Sequence, residues 1–249
     1  MTVNTTITDV TCNGGNNGAI NVTPTGGISP YTYNWGGGIT TQNRTGLTAA
    51  NYGLTVTDNV GCSISTSILV NQPSAIAITP TVTNATCFGA STGAINLAVT
   101  GGVAPFSYAW AGGAITQNRA GLAQGSYSVT VTDNRACTAS SYATVNQPAA
   151  INIVPVVTNV SCNGMSTGAI NITVTGGTSP YTFNWGGGVT TQNRTSLAAG
   201  SYTVTATDNA GCTAANTSVV NQPVAIAASS VNTNVSCSAG NNGAITLKV

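Results

Sequence analysis

The chain has 249 residues, of which 41% are hydrophobic and only 4% are charged. Ordinary soluble domains carry roughly 25% charged residues, so this chain lacks most of the side chains that perform acid–base chemistry. It contains no His, and its acidic side chains are four Asp. We therefore predict that the protein is not an enzyme and that it has no catalytic residue, no cofactor and no metal site.

The charges also argue against nucleic acid and membrane as partners. The formal net charge is +1, and the five basic residues are scattered along the chain, which leaves no basic surface to neutralise phosphates. No apolar stretch approaches the roughly 20 residues that a membrane-spanning helix needs. The segment after Met1 is Thr-rich and has no signal-peptide pattern, so we expect either a processed protein or a piece of a longer one.

Landmark residues recur every 75 positions. The cysteines lie at 12, 62, 87, 137, 162, 212 and 237, with gaps that alternate between 50 and 25. Trp, Tyr, Asp and Pro landmarks follow the same 75-residue step, which is the signature of a repeat protein. We predict repeats at residues 1–75, 76–150 and 151–225, followed by a partial fourth repeat at 226–249 that holds the first strands only.

Each repeat contains short alternating segments separated by turn residues, and helix signals are missing. In the third repeat the predicted strands, in chain order, cover residues 151–160, 169–175, 181–185, 201–207 and 212–220. About seven strands with turn signals every 8 to 12 residues are typical of a small Ig-like sandwich. The predicted fold is therefore all-β, with 75-residue tandem Ig-like β-sandwich repeats arranged as an elongated rod.

Several motifs of the first repeat resemble the SprB-type repeat of giant cell-surface adhesins in gliding bacteria. The motifs are Cys12-Asn13-Gly14, Gly26-Gly27, Pro30 to Trp35, Asn51-Tyr52, Thr55 to Asp58 and Gly61-Cys62. The next two repeats match, with departures such as Phe88 after Cys87, and the partial fourth carries Cys237. The stretch from Trp to Asp is also similar to polycystic-kidney-disease type modules. The resemblance implies an extracellular, repeat-built adhesin exported by the type nine secretion route.

Regular cysteine pairs in small repeated domains predict disulfides formed in an oxidising compartment. The residues alone leave two connectivities open, because Cys12–Cys62 within a repeat competes with Cys62–Cys87 across a junction. The resemblance favours the first, since the family motif opens and closes on a cysteine inside one repeat. The implied disulfides are Cys12–Cys62, Cys87–Cys137 and Cys162–Cys212, with Cys237 unpaired.

Aromatic residues recur at fixed positions in every repeat. A Trp on a central sandwich strand is usually a core residue, and a Tyr that starts a strand usually packs its ring and hydrogen-bonds its hydroxyl. A sugar-stacking platform is the rival interpretation. The predicted core aromatics are Trp35, Trp110, Trp185, Tyr52, Tyr127 and Tyr202.

Two charged positions recur with the period. Asp58, Asp133 and Asp208 each precede Asn, and we interpret them as turn caps rather than calcium ligands, because calcium needs several carboxylates. The periodic arginines follow Gln-Asn, and we interpret them as loop residues or contacts between repeats, with a ligand contact as the alternative. They are Arg44, Arg119 and Arg194.

The leading hypothesis for function is a structural one. Disulfide-stapled repeats in series predict a stalk segment of a secreted bacterial surface adhesin, supporting attachment or gliding, with neighbouring repeats as partners. A second hypothesis is a multivalent array of weak carbohydrate-binding modules whose partner is a surface polysaccharide. A third is a filament subunit that polymerises with copies of itself through the incomplete fourth repeat. All three place the protein at the cell surface or outside the cell.

Overall fold

The computed structural model describes residues 1–249, and every regular element in it is a β-strand. The all-β prediction is confirmed. The strands of the first repeat are β1 (Thr2–Thr8), β2 (Gly18–Thr25), β3 (Thr32–Asn34), β4 (Arg44–Leu47), β5 (Ala50–Thr57) and β6 (Ser63–Val70).

The same six strands return in the next two repeats. They are β7 (Ala77–Thr83), β8 (Gly93–Thr100), β9 (Ser107–Trp110), β10 (Arg119–Leu122), β11 (Gly125–Thr132), β12 (Thr138–Val145), β13 (Asn152–Thr158), β14 (Gly168–Thr175), β15 (Thr182–Asn184), β16 (Arg194–Leu197), β17 (Gly200–Thr207) and β18 (Thr213–Val220). The final hairpin consists of β19 (Ser229–Thr233) and β20 (Ala244–Lys248). The expectation of about seven strands in each repeat is therefore corrected to six.

Each repeat is a sandwich of two antiparallel three-stranded sheets. In the first repeat the strand orders are β1-β2-β4 and β3-β5-β6, and the other two repeats have the same arrangement. Alternation of side chains makes one face of each sheet apolar. In β2, Ile20 and Val22 are 0% and 1% exposed, whereas Asn21 and Thr23 between and beyond them face solvent. The repeats are thus Ig-like β-sandwiches in tandem.

Every repeat has its own hydrophobic core. The first core is built from Val10, Ile20, Val22, Trp35, Leu47, Leu54, Val56, Ile68 and Val70. Equivalent residues form the second and third cores. A glycine that starts the second strand lets the sheet close tightly, because a Cβ at Gly93 would lie 2.5 Å from Val145 Cγ1 and 2.9 Å from the Leu122 carbonyl oxygen.

The chain divides into two compact units. One consists of Met1–Ala85 with Ala90–Asn146, and holds the cores of the first two repeats. The other consists of Thr86–Gly89 with Gln147–Val249, and holds the core of the third repeat and the final hairpin. Strands β19 and β20 pair only with each other. None of the elements is a helix long and apolar enough to cross a membrane.

Candidate functional site

Two disulfides link cysteines of consecutive repeats. In the first unit Cys12 is bonded to Cys137, and in the second unit Cys87 is bonded to Cys212; both pairs have a sequence separation of 125. In each case the first cysteine of one repeat is joined to the second cysteine of the next repeat. The thiols of Cys62, Cys162 and Cys237 are free and exposed.

This connectivity corrects the expected pairing within repeats, Cys12–Cys62, Cys87–Cys137 and Cys162–Cys212, and it also replaces the alternative Cys62–Cys87. The physical reason is that the two cysteines of one repeat lie at opposite ends of its last strand. Cys62 directly precedes β6, and eight residues of extended strand span roughly 25 Å. A disulfide needs Cα atoms closer than about 7 Å, so the two cysteines of one repeat cannot meet.

The first cysteine of each repeat lies in a segment that we call the cysteine loop, residues 9–17 in the first repeat. This loop is fastened to the chain just beyond β6. The Val10 N–H donates to the Asn71 carbonyl oxygen at 2.9 Å, and the Asn71 N–H donates to Asp9 Oδ1 at 2.8 Å. The Gly14 N–H donates to Gln72 Oε1 at 2.7 Å. The loop therefore presents its cysteine at the end of the repeat where the chain leaves for the next one.

The second cysteine of each repeat lies in a tight turn, residues 58–62 in the first repeat, which we call the aspartate turn. In the second repeat, Asp133 Oδ1 accepts hydrogen bonds from the N–H groups of Arg135 at 2.8 Å and Cys137 at 2.9 Å. Its Oδ2 accepts the Val103 N–H at 2.9 Å. The carboxylate thus organises the turn that carries the disulfide, as Asp58 and Asp208 do in the other repeats.

These hydrogen bonds control the ionisation of the buried carboxylates. Burial by itself would raise the pKa of Asp133, but N–H donors from Cys137, Val103 and Arg135, together with the Arg135 charge, bring the pKa below its ordinary value. The pKa values of Asp58 and Asp208 are lowered by equivalent backbone donors. No group of three or more His, Cys, Asp or Glu side chains that could hold a metal ion is present.

Each periodic arginine contacts aromatic rings of its own repeat. Arg44 Cζ lies 5.6 Å from the centroid of the Trp35 ring and 5.0 Å from that of Tyr52. The second and third repeats have the same arrangement at Arg119 and Arg194. The expectation that the arginines are loop residues or contacts between repeats is therefore corrected. Each instead begins a strand and forms a cation–π stack inside its own repeat.

The Trp rings lie in the cores and the Tyr rings pack beside them. Trp35, Trp110 and Trp185 are 9%, 4% and 9% exposed, so they present no open face on which a sugar could stack. Trp35 Nε1 donates to the Thr41 carbonyl oxygen at 2.8 Å. The half-buried Tyr52, Tyr127 and Tyr202 each donate their hydroxyl to a carbonyl oxygen four residues earlier.

The Gln and Asn that precede each arginine have a role that sequence reasoning missed. Asn43 Oδ1 accepts the Val22 N–H at 2.9 Å, while Gln42 Nε2 donates to the Val22 carbonyl oxygen at 2.7 Å. The same pair of bonds holds Leu97 in the second repeat and Ile172 in the third. Two amides therefore substitute for a neighbouring strand beside β2. The sequence signal for this role was that the Gln-Asn pair precedes the arginine in all three repeats.

Comparison with solved structures gives only remote likenesses. The N-terminal eight Ig domains of Down Syndrome Cell Adhesion Molecule are 13% identical, with a TM-score of 0.36; the match covers 77% of this chain and 32% of that one. A structure of three titin Ig domains is 12% identical over 89% of this chain and 99% of that one, with a TM-score of 0.36. Domains 4–9 of the surface layer protein SbsC are 13% identical over 93% of this chain and 48% of that one, with a TM-score of 0.30.

Comparison of the sequence with models of protein families gives a specific match. No curated protein matches the chain. The model of the SprB repeat, by contrast, matches residues 4–40, 79–115 and 154–190, and the three matches keep the 75-residue step. Each match runs from the first strand through the cysteine loop to the Trp strand and the loop after it. The chain therefore matches the SprB repeat at three positions in tandem.

Proposed function

We propose that this chain is a load-bearing stalk segment of a secreted bacterial surface adhesin that supports attachment or gliding. The observation that carries the proposal is the register of the disulfides, which join each repeat to the next instead of closing a single repeat. SprB repeats occur in cell-surface proteins, and disulfides persist in the oxidising conditions outside the cell.

The disulfides shorten the covalent path that carries tension along the chain. Without them, tension between Cys12 and Cys212 passes through the whole peptide between these two cysteines. With both bonds formed, a path runs from Cys12 to Cys137, back along the peptide to Cys87, and across to Cys212. Unfolding can then lengthen this region by no more than the segment from Cys87 to Cys137 allows. A chain that resists elongation even when its sandwiches unfold is suited to transmit force.

Single-molecule force spectroscopy on the full chain, held by its two ends, tests the proposal. The disulfides remove two segments from the path, Cys12 to Cys87 and Cys137 to Cys212, each as long as one repeat. At about 3.5 Å for each extended residue, reduction should lengthen the fully stretched chain by about 500 Å.

The matched control replaces Cys137 and Cys212 by Ser, which removes both disulfides. This variant should stretch to the same length with and without reductant. If the unreduced natural chain also stretches to the length of the reduced one, the disulfides do not carry load and the stalk proposal loses its support.

A further inference from the structure

The free cysteines occupy positions whose counterparts are bonded elsewhere in the chain. Cys62 corresponds to Cys137 and Cys212, the bonded cysteines of the aspartate turns. Cys162 corresponds to Cys12 and Cys87, the bonded cysteines of the cysteine loops. The chain twice bonds the cysteine of a cysteine loop to the cysteine of an aspartate turn. Cys62 and Cys162 therefore each occupy one side of such a pair without the other.

The cysteine loop around Cys162 already has the geometry of a bonded loop. Asn163 Nδ2 donates to the Pro223 carbonyl oxygen at 2.9 Å, and the Gly164 N–H donates to Gln222 Oε1 at 2.9 Å. In the bonded loop of the first repeat the equivalent distances are 3.0 and 2.7 Å. Because these bonds exist without a disulfide, the loop does not need its partner in order to form.

The aspartate turn around Cys62 is also formed in advance. The Cys62 N–H donates to Asp58 Oδ1 at 2.9 Å, and the Val60 N–H donates to the same oxygen at 3.1 Å. This turn differs from a bonded turn in the solvent exposure of its cysteine. Cys137 is 9% exposed, and its Sγ lies 3.4 Å from the Thr11 carbonyl oxygen of the preceding cysteine loop, whereas Cys62 is exposed.

We infer that Cys62 and Cys162 are the two complementary half-sites of one further inter-repeat disulfide, and that the partner of each is another SprB repeat placed in tandem. Cys62 bonds the cysteine loop of a repeat that precedes it, and Cys162 bonds the aspartate turn of a repeat that follows it. Cys237 has the role of Cys162 one repeat later. The inference rests on the proposed stalk function and names the partner of its cross-link.

The bond forms by thiol–disulfide exchange with a small-molecule disulfide such as oxidised glutathione. One thiolate attacks the oxidant and releases one reduced glutathione, which leaves a mixed disulfide on the protein. The second thiolate displaces the other glutathione and closes the protein disulfide. The two protein thiols lose two protons and two electrons, and the oxidant is reduced to two thiols.

Such a bond would make a tandem of these repeats almost inextensible. Only a third of a repeat separates Cys137 from Cys162. A covalent path would therefore run from Cys12 to Cys137, through that short segment to Cys162, and across the next disulfide. Cys12 and Cys162 are two whole repeats apart in the sequence, yet the only peptide on the path between them is the segment from Cys137 to Cys162. Only this third of a repeat could be stretched.

The test joins residues 1–225 of one copy directly to Met1 of a second, full copy, which continues the 75-residue register. None of the three hydrophobic cores includes a residue after Val220, so every repeat retained has a complete core. Ser replaces Cys62 of the first copy and Cys162 and Cys237 of the second. The cysteines that remain then have only one way to pair completely in the proposed register.

The protein is oxidised with a glutathione buffer, and its disulfides are mapped on peptides without reduction. The expected result is a peptide pair joining Cys162 of the first copy to Cys62 of the second, and no free thiol after denaturation. The Cys12–Cys137 bond in the same molecule is the internal control for folding. If that bond forms while two thiols stay free, the inference is wrong, although the stalk proposal stands.

A second arm uses the unfused natural chain at the same concentration, and it should stay free of intermolecular disulfides. Dimers joined through Cys62 and Cys162 would instead place the partner on a separate chain, which overturns the tandem arrangement. The mapping result is independent of the force measurement, so failure of the inference and failure of the proposed function are distinguishable.

Discussion

The carboxylate of Asp133 accepts a hydrogen bond from the backbone N–H of Cys137 at 2.9 Å, so a buried acid positions the residue that carries the inter-repeat disulfide. The same bond, also 2.9 Å long, joins Asp58 to Cys62, whose thiol is free. The turn is therefore organised by its aspartate, and the disulfide is added to a turn that already exists.

The aspartate turns predict loss of stability in acid. The folded-state pKa values of Asp58, Asp133 and Asp208 are lowered, so ionisation of these groups stabilises the fold above their unfolded pKa. That stabilisation is lost as pH falls below about 4 and through the folded pKa values. Thermal unfolding followed by circular dichroism should show a constant Tm between about pH 5 and 8, because the three turn carboxylates stay ionised there and the chain has no His. The Tm should fall below about pH 4.

Asp133→Asn should lower the Tm at neutral pH and flatten its decline in acid, because an amide has a single acceptor oxygen for the three N–H donors. The matched control is Asp9→Asn. Asn84 and Asn159 fill the equivalent position in the other repeats with the same hydrogen bond, so this change should leave the Tm unaltered. Equal losses from both variants would contradict the assigned role of the turn.

Replacing Cys12 and Cys137 together by Ser should destabilise the first unit. Chain-entropy arguments give about 5 kcal/mol for a bond that closes a loop of this length. Denaturant unfolding without reductant measures the loss, and Cys62→Ser is the control, because that thiol is free and exposed. A clear loss of stability in Cys62→Ser would contradict this assignment and favour pairing within the repeat, where Cys62 would be bonded to Cys12.

Arg44→Ala should lower the stability of the first repeat by about 1 to 2 kcal/mol, because one guanidinium stacks on two rings. Arg44→Lys should recover only part of the loss, since an ammonium lacks the flat surface of the guanidinium. Denaturant unfolding followed by Trp fluorescence reports the effect. Lys248→Ala is the control, because that exposed cation lies in the final hairpin and has no ring contact. A stable Arg44→Ala variant would show that the stack is energetically unimportant.

Gly93→Ala should destabilise the second repeat by about 1 to 3 kcal/mol through overpacking, because the added Cβ would lie 2.5 Å from Val145 Cγ1. Gly53→Ala is the matched control. A Cβ there meets nothing within 4 Å, and Ser128 and Thr203 fill the equivalent position in the other repeats. Thermal melts of the two variants should separate clearly. Similar melts would mean that the Gly93 site relaxes freely.

Much of the local structure was readable from the sequence, because its causes are local. Apolar residues that alternate along Ser201 to Thr207 predict a strand, and the structure has β17 at Gly200–Thr207. The Gly-rich and Asn-rich segments between strands predict turns for the same reason. The short strands β3 and β4 are harder to separate, since a strand of three or four residues carries little periodicity.

The sequence by itself determined that this protein has a 75-residue period, and that each of the three full repeats has a cysteine pair and a match to the SprB repeat. Only the tertiary structure decided which cysteines meet. The alternating gaps of 50 and 25 between cysteines do not say at which end of a sandwich a cysteine lies, whereas strand β6 places Cys62 at one end and the loop of Cys12 at the other. A disulfide forms between atoms that are close in space, so the partner of Cys12 is Cys137 in the next repeat.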